Sequence, residues 1–177
     1  MYAGKPVAVL GWGGDHCAVT EIEVRRATEA DAVVLARLNE IVHALHVEAR
    51  PDVFVAAGDK EEVARLFVRF LGREGALVFL AEEAGRAVGY VTGVVHRREG
   101  DVMLRARSFV SIEHIAVDPG VARSGVGSAL ARAVREVGRE AGCTSVLTDV
   151  WDFNEASLAF FTELGFRPMR HVLEQAL

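Results

Sequence analysis

The sequence lacks the features that mark several common classes of protein. Its 177 residues include only two cysteines, Cys17 and Cys143, which form no disulfide framework and indicate a reducing compartment, so we expect a cytoplasmic protein. The formal net charge of −5 argues against a nucleic-acid groove, because such a groove needs a basic face. No apolar run approaches the ~20 residues of a membrane helix, and the start of the chain shows no convincing signal-peptide cleavage site. We therefore expect neither a nucleic-acid partner nor membrane association.

The length and the hydrophobic content of the chain are sufficient for one folded domain. Hydrophobic residues make up 51% of the chain, and no linker, repeat or low-complexity tract divides it. Residues 1–20 are glycine-rich and form an N-terminal extension, either an accessory strand or a poorly packed segment, whereas residues 21–177 form the domain. One hypothesis is that the apolar stretch PVAVLGW in this extension pairs with the sheet edge of a second subunit to give a homodimer.

Hydrophobic periodicity predicts an alternation of strands and helices from Glu21 onward. Capping residues mark the starts of three helices: Thr28 opens the first, Asp59 the second and Asn154 the last. The predicted strands cover residues 21–27, 76–83, 87–96, 108–117, 143–151 and 166–177, and the predicted helices cover residues 28–50, 59–72, 125–141 and 154–165. This order, β-α-α-β-β-β-α-β-α-β, predicts one mixed α/β domain.

The most informative stretch is VDPGVARSGVGSAL, residues 117–130, in which glycines join a predicted strand to a predicted helix. Glycines in this position let the backbone approach a ligand closely. A nucleotide-binding P-loop needs a lysine where this chain has Val126, and a dinucleotide-binding fingerprint needs a third glycine where it has Leu130. The remaining interpretation is that the amides of residues 122–127 and the positive end of helix 125–141 hold a pyrophosphate, as in coenzyme A binding.

Residues 122–127, ARSGVG, match the pattern (Q/R)-x-x-G-x-(G/A) except at the first position. Residues 154–166, NEASLAFFTELGF, match the pattern N-x-x-(A/S)-x-x-(F/L)-Y-x-x-x-G-F except at the tyrosine. On these two motifs, residues 21–177 resemble the GNAT acetyltransferase superfamily. The resemblance implies the α/β (α+β) GNAT acyl-CoA N-acyltransferase fold: a mixed, mostly antiparallel central sheet flanked by helices, with a splayed strand followed by a pyrophosphate-binding turn. It also implies acetyl transfer from acetyl-CoA, the cosubstrate, to an amine. Independently of the resemblance, we expect no metal.

The resemblance implies a cofactor site along the strand, the turn and the last helix. Its residues are Ile115, Ala116, Val117, Ala122, Arg123, Ser124, Gly125, Val126, Gly127, Ser128, Asn154 and Phe161. Two of them depart from the family pattern. Ala122 replaces the usual Gln or Arg, and we expect the backbone donors to make this loss tolerable. Phe161 replaces a tyrosine whose hydroxyl commonly protonates the departing thiolate in the family, and a phenyl ring donates no proton.

Glu113 is the candidate general base, because an amine with a pKa near ~10 must lose a proton before it attacks. Strand alternation predicts that His114 points away from Glu113, which shares its face with Ser111, Ile115 and Val117. We expect burial at the strand end to raise the pKa of Glu113, and the alternative is a carboxylate in a structural salt bridge. By resemblance, the main-chain amides near Ile115 and Val117 receive the thioester carbonyl oxygen.

The acceptor side is predicted at the first two helices and the loop 96–107. Glu48 and Asp52 are candidates for attracting a cationic substrate, although an ordinary charged face explains them equally well. Trp151 either lines the acceptor pocket or packs in the core, and the core is favoured. His43 and His46 have no obvious third ligand, so a solvated pair is favoured over a metal site.

Together these observations predict direct acetyl transfer in a ternary complex. No cysteine lies in either motif, which argues against an acetyl-cysteine intermediate. The acceptor is a small-molecule amine or a peptide amine, and the net negative charge favours a small cationic amine. The alternative function is a coenzyme A-binding regulatory or structural module with little or no turnover, for which the departures at Ala122 and Phe161 are the argument.

Overall fold

The structure is a computed structural model in which residues 21–56 and 58–177 are described. The predicted N-terminal extension, with its accessory strand and its dimer contact, lies outside the described residues. Within them the strands are β1 (Ile22–Arg26), β2 (Ala76–Glu83), β3 (Arg86–Arg98), β4 (Arg107–Val117) and β5 (Val146–Thr148). The helices are α1 (Ala32–Ala49), α2 (Lys60–Leu71), α3 (Val126–Glu140) and α4 (Glu155–Glu163). None of these helices is both long enough and apolar enough to cross a membrane.

The sheet has the strand order β1-β2-β3-β4-β5, so each strand pairs with its neighbours along the chain. The first three pairs are antiparallel, whereas β4 and β5 are parallel. A parallel pair needs a crossover connection, which α3 supplies between these two strands. This mixed, mostly antiparallel sheet flanked by helices confirms the predicted fold class.

Two apolar clusters cover the opposite faces of the sheet. On one face, Leu35 of α1 and Phe67 of α2 pack in the same cluster as Tyr90 of β3. On the other face, Leu130 of α3 and Phe161 of α4 belong to the second cluster. Side chains of β4 that point toward α1 therefore lie on a different side of the sheet from those that point toward α3.

The start of α1 is tied to the sheet by a group of charged side chains. Asp31 accepts the backbone N–H of Thr28 at 2.8 Å, as in a capping box, and it accepts two hydrogen bonds from Arg25 at 2.8 and 2.9 Å. Arg25 also donates to Glu82 of β2 at 2.7 Å. The Arg25 guanidinium holds the pKa of Asp31 down, to about 2. These bonds fix the position from which α1 crosses the sheet.

The C-terminal part differs from the prediction in two places. β5 covers three residues rather than 143–151, and residues 166–177 contain no strand. Pro168 removes a backbone donor, and the apolar side chains that follow it are exposed: Met169, Val172, Leu173 and Leu177. Since no buried row of side chains fixes a register beside β5, the predicted closing strand is wrong for this part of the chain.

Candidate active site

A bulge in β4 sets the geometry near the end of the strand. The register between β3 and β4 shifts at Gly93, which pairs with Ile112 although the residue before it pairs with His114, so Glu113 is the extra residue. A Cβ on Gly93 would lie 2.6 Å from the carbonyl oxygen of Ser111, so only glycine allows this close approach of the two strands. The extra residue changes which side chains share a face.

The predicted alternation of β4 is wrong across this bulge. Ile115 and Val117 pack against the cluster on the α3 side of the sheet rather than on a face shared with Glu113. Ser111 lies between two residues of that same α3-side cluster, so alternation turns its own side chain toward α1. Its hydroxyl donates a hydrogen bond of 2.5 Å to Glu113 Oε1, which places the carboxylate on the α1 side as well.

Two consecutive side chains therefore project toward α1. The prediction that His114 points away from Glu113 is wrong, because its Nδ1 lies 3.3 Å from Asn39 Oδ1 on α1. Desolvation lowers the pKa of His114; Glu113 opposes this shift, while positive charge on His46 or His43 adds to it. Glu113 is exposed, so the predicted burial of its carboxylate is wrong.

The edge of β4 is open beyond the bulge. β5 pairs only with Val110–Ile112, and past this point no described strand continues along the same edge. Asp118 donates its N–H to Val88 O at 2.7 Å, on the β3 side. By alternation, the amides of Val117 and Ile115 face away from β3, toward the open edge. This is the splayed strand that the predicted fold includes.

The turn after β4 uses some of its backbone donors and leaves others free. The N–H of Ala122 donates to Pro119 O at 3.2 Å, and that of Ser124 donates to Val121 O at 3.3 Å. Two of the amides predicted to face a pyrophosphate are therefore engaged within the turn itself. Five amides have no acceptor among the described residues: those of residues 123, 125, 126, 127 and 128.

Two residues in the left-handed region of backbone conformation shape this turn. Arg123 has a φ of 65°, and Gly125, the N-cap of α3, has a φ of 88°. Glycine adopts this conformation without steric cost, whereas other residues rarely do. The free amides adjoin the positive end of the α3 dipole, so the turn can hold a phosphate or another anion.

α4 packs directly beside the turn. A Cβ on Gly127 would lie 3.1 Å from the ring of Phe160, so the contact between α3 and α4 leaves little room for a side chain here. Phe161 is 4% exposed, and its ring meets the rings of Phe160 and Phe166 at centroid distances of 5.1 Å. The position at which the family pattern has tyrosine therefore lies in the core. Asn154 caps α4, since its Oδ1 accepts an N–H three residues later at 3.0 Å.

An aromatic cluster, formed by His46, Phe54, Trp151 and Phe153, lies at the end of α1. The ring centroids of His46 and Phe54 are 4.9 Å apart, those of Phe54 and Trp151 are 5.4 Å apart, and Trp151 stacks on Phe153 at 5.9 Å. Trp151 is 38% exposed. The preference for a core position of Trp151 is therefore wrong, and the side chain belongs to this surface cluster.

The two acidic residues proposed to attract a cation differ in their surroundings. Asp52 accepts hydrogen bonds from Arg50 at 2.7 and 2.9 Å, and these bonds lower the pKa of its carboxyl group. Arg50 also pairs with Glu174 and lies 5.4 Å from the ring centroid of Trp151. The charge of Asp52 is thus balanced by a neighbour, whereas Glu48 is exposed at the end of α1.

The two histidines of α1 were predicted to be solvated, but each is half-buried and contacts a backbone carbonyl. His46 lies with Nδ1 2.6 Å from Val42 O, and His43 lies with Nε2 2.9 Å from Val55 O. In the described part of the chain, no three metal-ligating side chains come together.

Sequence reasoning missed Asn39, Tyr90, Phe54 and Phe153. Tyr90 donates its hydroxyl to Asn39 Oδ1 at 2.8 Å, which brings β3 and α1 into contact beside His114. An isolated glycine inside a strand pattern indicates a bulge or a close backbone approach, so Gly93 was the available signal for this geometry. Nothing in the local pattern indicated which side chains of α1 meet it.

Comparison with known proteins assigns the chain to a family. A family model described as the acetyltransferase (GNAT) family matches residues 38–166. The chain is 33% identical over 90 residues to a glucosamine 6-phosphate N-acetyltransferase of Trypanosoma brucei brucei, over 51% of this chain and 57% of that protein. The chain thus spans little more than half the length of this curated relative.

Solved structures show the same fold. The tetramutant of the BH1408 protein from Bacillus halodurans superposes with a TM-score of 0.80 at 25% identity, over 87% of this chain and 99% of that chain. The aminoglycoside N-acetyltransferase AAC(6')-Iy, in complex with CoA, superposes with a TM-score of 0.70 at 20% identity, over 95% and 99% of the two chains. At 20% identity, the similarity to the aminoglycoside N-acetyltransferase shows the fold alone.

Proposed function

This chain belongs to the acetyltransferase (GNAT) family, and we propose that it transfers an acetyl group from acetyl-CoA to an amine. One observation carries the proposal: the open edge of β4 leads directly into the free amides at the start of α3. A strand edge suits the amide groups of a pantetheine arm, and amides at a helix N-terminus suit a pyrophosphate. Coenzyme A carries these two groups joined end to end, so the described residues fit it.

The residues proposed for coenzyme A fall into three groups. Ile115, Ala116 and Val117 border the pantetheine arm along the open edge. The segment 122–128 holds the pyrophosphate, chiefly through the five free amides. Asn154 and Phe161 are proposed to support the site from α4: Asn154 caps this helix, and the buried ring of Phe161 packs behind the site and has no proton to donate.

Glu113 is the proposed proton acceptor for the amine. Its carboxylate projects from the bulge beside the open edge, and the Ser111 hydroxyl holds one of its oxygens. An exposed carboxylate first attracts the ammonium form of the acceptor and then takes its proton, directly or through water. The amides of Ile115 and Val117 then stabilise the negative charge that develops on the thioester oxygen.

The proposed transfer is direct, within a ternary complex. Cys143 packs against Gly138, twelve residues along α3 from its first residue, Val126, which corresponds to about 18 Å of helix. Its sulfur is therefore far from the proposed site, and an acetyl-cysteine has no support in the described residues.

A small amine that is cationic at neutral pH is the proposed acceptor class. Aminoglycosides fit this class because they carry several ammonium groups, and a structural neighbour is an aminoglycoside N-acetyltransferase. The curated relative is a glucosamine 6-phosphate N-acetyltransferase. Glucosamine 6-phosphate has a protonated amine but a net negative charge from its phosphate, so it tests whether the charge of the amine alone is sufficient. Glu48 remains a candidate for attracting the cation, together with Asp52 and Trp151 at the edge of the aromatic cluster. A peptide amine is the alternative acceptor that the same chemistry accepts.

The test measures thiol release from acetyl-CoA with four acceptors: glucosamine 6-phosphate, an aminoglycoside, a polyamine and a peptide with a free N-terminus. Glu113→Gln is compared with Glu163→Gln, a matched control at an exposed position of α4. Calorimetry measures acetyl-CoA binding to all three proteins. We expect acceptor-dependent release that falls about 100-fold in Glu113→Gln only, with acetyl-CoA affinity unchanged.

Each other outcome has a definite meaning. Release that is unaffected by Glu113→Gln would keep the acetyl transfer and remove Glu113 as the base. Binding of acetyl-CoA without release for any acceptor would favour a regulatory or structural coenzyme A-binding module. Failure to bind acetyl-CoA would contradict the proposed cosubstrate.

A further inference from the structure

The bulge brings two hydrogen-bonded groups of side chains to adjacent residues of β4. In the first group, Ser111 Oγ lies 2.5 Å from Glu113 Oε1. The other joins Tyr90 to Asn39 at 2.8 Å and Asn39 to His114 at 3.3 Å. The function proposed above uses the first group and leaves the second without a role.

The second group favours one tautomer of the His114 ring. Asn39 Oδ1 has no hydrogen of its own, so it accepts both the hydroxyl of Tyr90 and the N–H at Nδ1 of His114. Tyr90 is fully buried, and its hydroxyl therefore needs this acceptor. With the proton on Nδ1, the lone pair of the neutral imidazole is on Nε2.

The surroundings of His114 favour the neutral ring. Desolvation lowers its pKa, and positive charge on His43 or His46, the titratable groups that reach it from α1, acts in the same direction. Glu113, its neighbour on β4, acts against them. A neutral imidazole with a lone pair on Nε2 is a base at neutral pH.

We propose that His114 is a second acid–base catalytic residue of this site, with Asn39 and Tyr90 as its positioning residues. The inference rests on the proposed acetyl transfer. An ammonium acceptor loses two protons as it becomes an acetamide, one before its nitrogen attacks and one as the new carbon–nitrogen bond forms. Glu113 takes the first proton and His114 Nε2 takes the second, and each then passes to water. The thiolate released when the carbon–sulfur bond breaks takes one proton from water, so one proton is released overall.

The first test is independent of activity. Nitrogen-15 NMR of the full chain, without ligands, reports the tautomer of each histidine ring, and His114→Gln identifies the signals of residue 114. We expect the Nδ1–H tautomer for His114. The Nε2–H tautomer would overturn the inference, because the lone pair would then face Asn39.

The second test is kinetic. His114→Gln is expected to lower kcat about 100-fold with the KM for acetyl-CoA unchanged, whereas His171→Gln, at an exposed position of the C-terminal segment, leaves both unchanged. Asn39→Asp places a carboxylate beside Nδ1 and stabilises the imidazolium, so the acid limb of the kcat/KM profile moves to higher pH.

These outcomes separate the two proposals. Normal turnover by His114→Gln, with an active wild-type protein, would overturn the role of His114 and leave acetyl transfer in place. An acid limb that stays at the same pH in Asn39→Asp would overturn the positioning role of Asn39. No turnover by the wild-type protein with any acceptor would overturn the acetyl transfer itself.

Discussion

The bulge at Glu113 and His114 and the turn at residues 123–128 lie at the two ends of one strand-to-helix connection, but the bulge presents side chains and the turn presents backbone. At the bulge, each titratable side chain is held by another side chain, Ser111 in one case and Asn39 in the other. At the turn, the groups available to a ligand are backbone amides. The first end therefore depends on the identity of residues and the second on the conformation of the backbone.

This difference indicates how each end tolerates substitution. A backbone site keeps its function when an exposed side chain changes, provided that the new residue adopts the same φ and ψ angles. A side-chain site loses its function when one partner is removed, because the remaining group is left misplaced or without its hydrogen bond. Under the proposed function, the turn holds the cosubstrate and the bulge meets the amine, so the amine that is accepted can change while the fold stays the same.

The largest effect is expected at the turn, from Gly125→Val. The φ of 88° at this position is strained for any residue with a Cβ and most strongly for a β-branched one, at a cost of about 1–3 kcal/mol. If the helix start rearranges to relieve this strain, the free amides lose their arrangement. We expect the Kd for acetyl-CoA to rise at least about tenfold, measured by calorimetry.

Gly142→Val is the matched control for this strain. Gly142 has a φ of 75° at the far end of α3, and a Cβ there meets no other atom within 4 Å. Gly142→Val imposes similar backbone strain at a position away from the turn. We therefore expect the stability of the protein to fall and its affinity for acetyl-CoA to stay the same. Equal affinity in both variants would show that the turn does not bind through its backbone.

The next effect concerns Phe161→Tyr, which restores the tyrosine of the family pattern. Because the ring lies in the core, its added hydroxyl would be buried without an evident partner, at a cost of about 1–3 kcal/mol. We expect the free energy of unfolding in urea to fall by that amount and the turnover to stay unchanged. Phe153→Tyr, in the aromatic cluster at the surface, is the control and should cost less. A gain in turnover from Phe161→Tyr would show that this position does reach the reacting atoms.

Much of the fold was predictable because its signals are local. Asp59 and Asn154 cap their helices as predicted, with side chains that accept N–H groups from the first turn. The predicted strands 76–83 and 87–96 form an antiparallel hairpin as β2 and β3, and Gly85 in its turn has a φ of 74°. The closing strand predicted at 166–177 is absent, because the apolar side chains there are exposed and give the segment no buried face.

The candidate site was predictable only in part, because the bulge is a property of two strands together. Alternation along β4 gave the wrong face for Ile115 and His114, since one extra residue shifts every side chain after it. The packing of Tyr90 against Asn39 depends on how α1 crosses the sheet, which no pattern within either segment encodes. Gly125 was the clearest sequence signal, because its left-handed conformation is a local requirement.

A smaller effect tests the bulge through the pKa of His114. Glu113→Gln removes the carboxylate that favours the imidazolium, so the pKa of His114 should move further below its usual value of 6.5. His46→Gln removes a competing positive charge and should raise it. NMR titration of the His114 ring measures both shifts. A His114 pKa that responds to neither change would contradict the close grouping of these side chains.

The sign of this shift also sets a dependence of stability on pH. A histidine whose pKa is lower in the folded state binds its proton less well there than in the unfolded chain. The contribution of His114 to stability is therefore complete above pH ~6.5 and is lost as the pH falls through the lower, folded-state pKa. In His114→Gln this loss of stability at low pH should be absent. Urea unfolding measures it between roughly pH 5 and 8, where histidine changes its charge.

The smallest effect is expected from Ala122→Gln, which restores the first residue of the family pattern at the turn. The side chain at 122 is exposed, and its own N–H is already engaged by Pro119 O at 3.2 Å. A glutamine there adds one exposed hydrogen bond to a phosphate that several backbone amides already hold, so we expect the Kd for acetyl-CoA to change by less than about threefold. A tenfold gain would mean that side chains determine affinity at the turn as they do at the bulge, and the contrast between the two ends would fail. A small change, set against a large loss in Gly125→Val, would place the affinity of this turn in the conformation of its backbone.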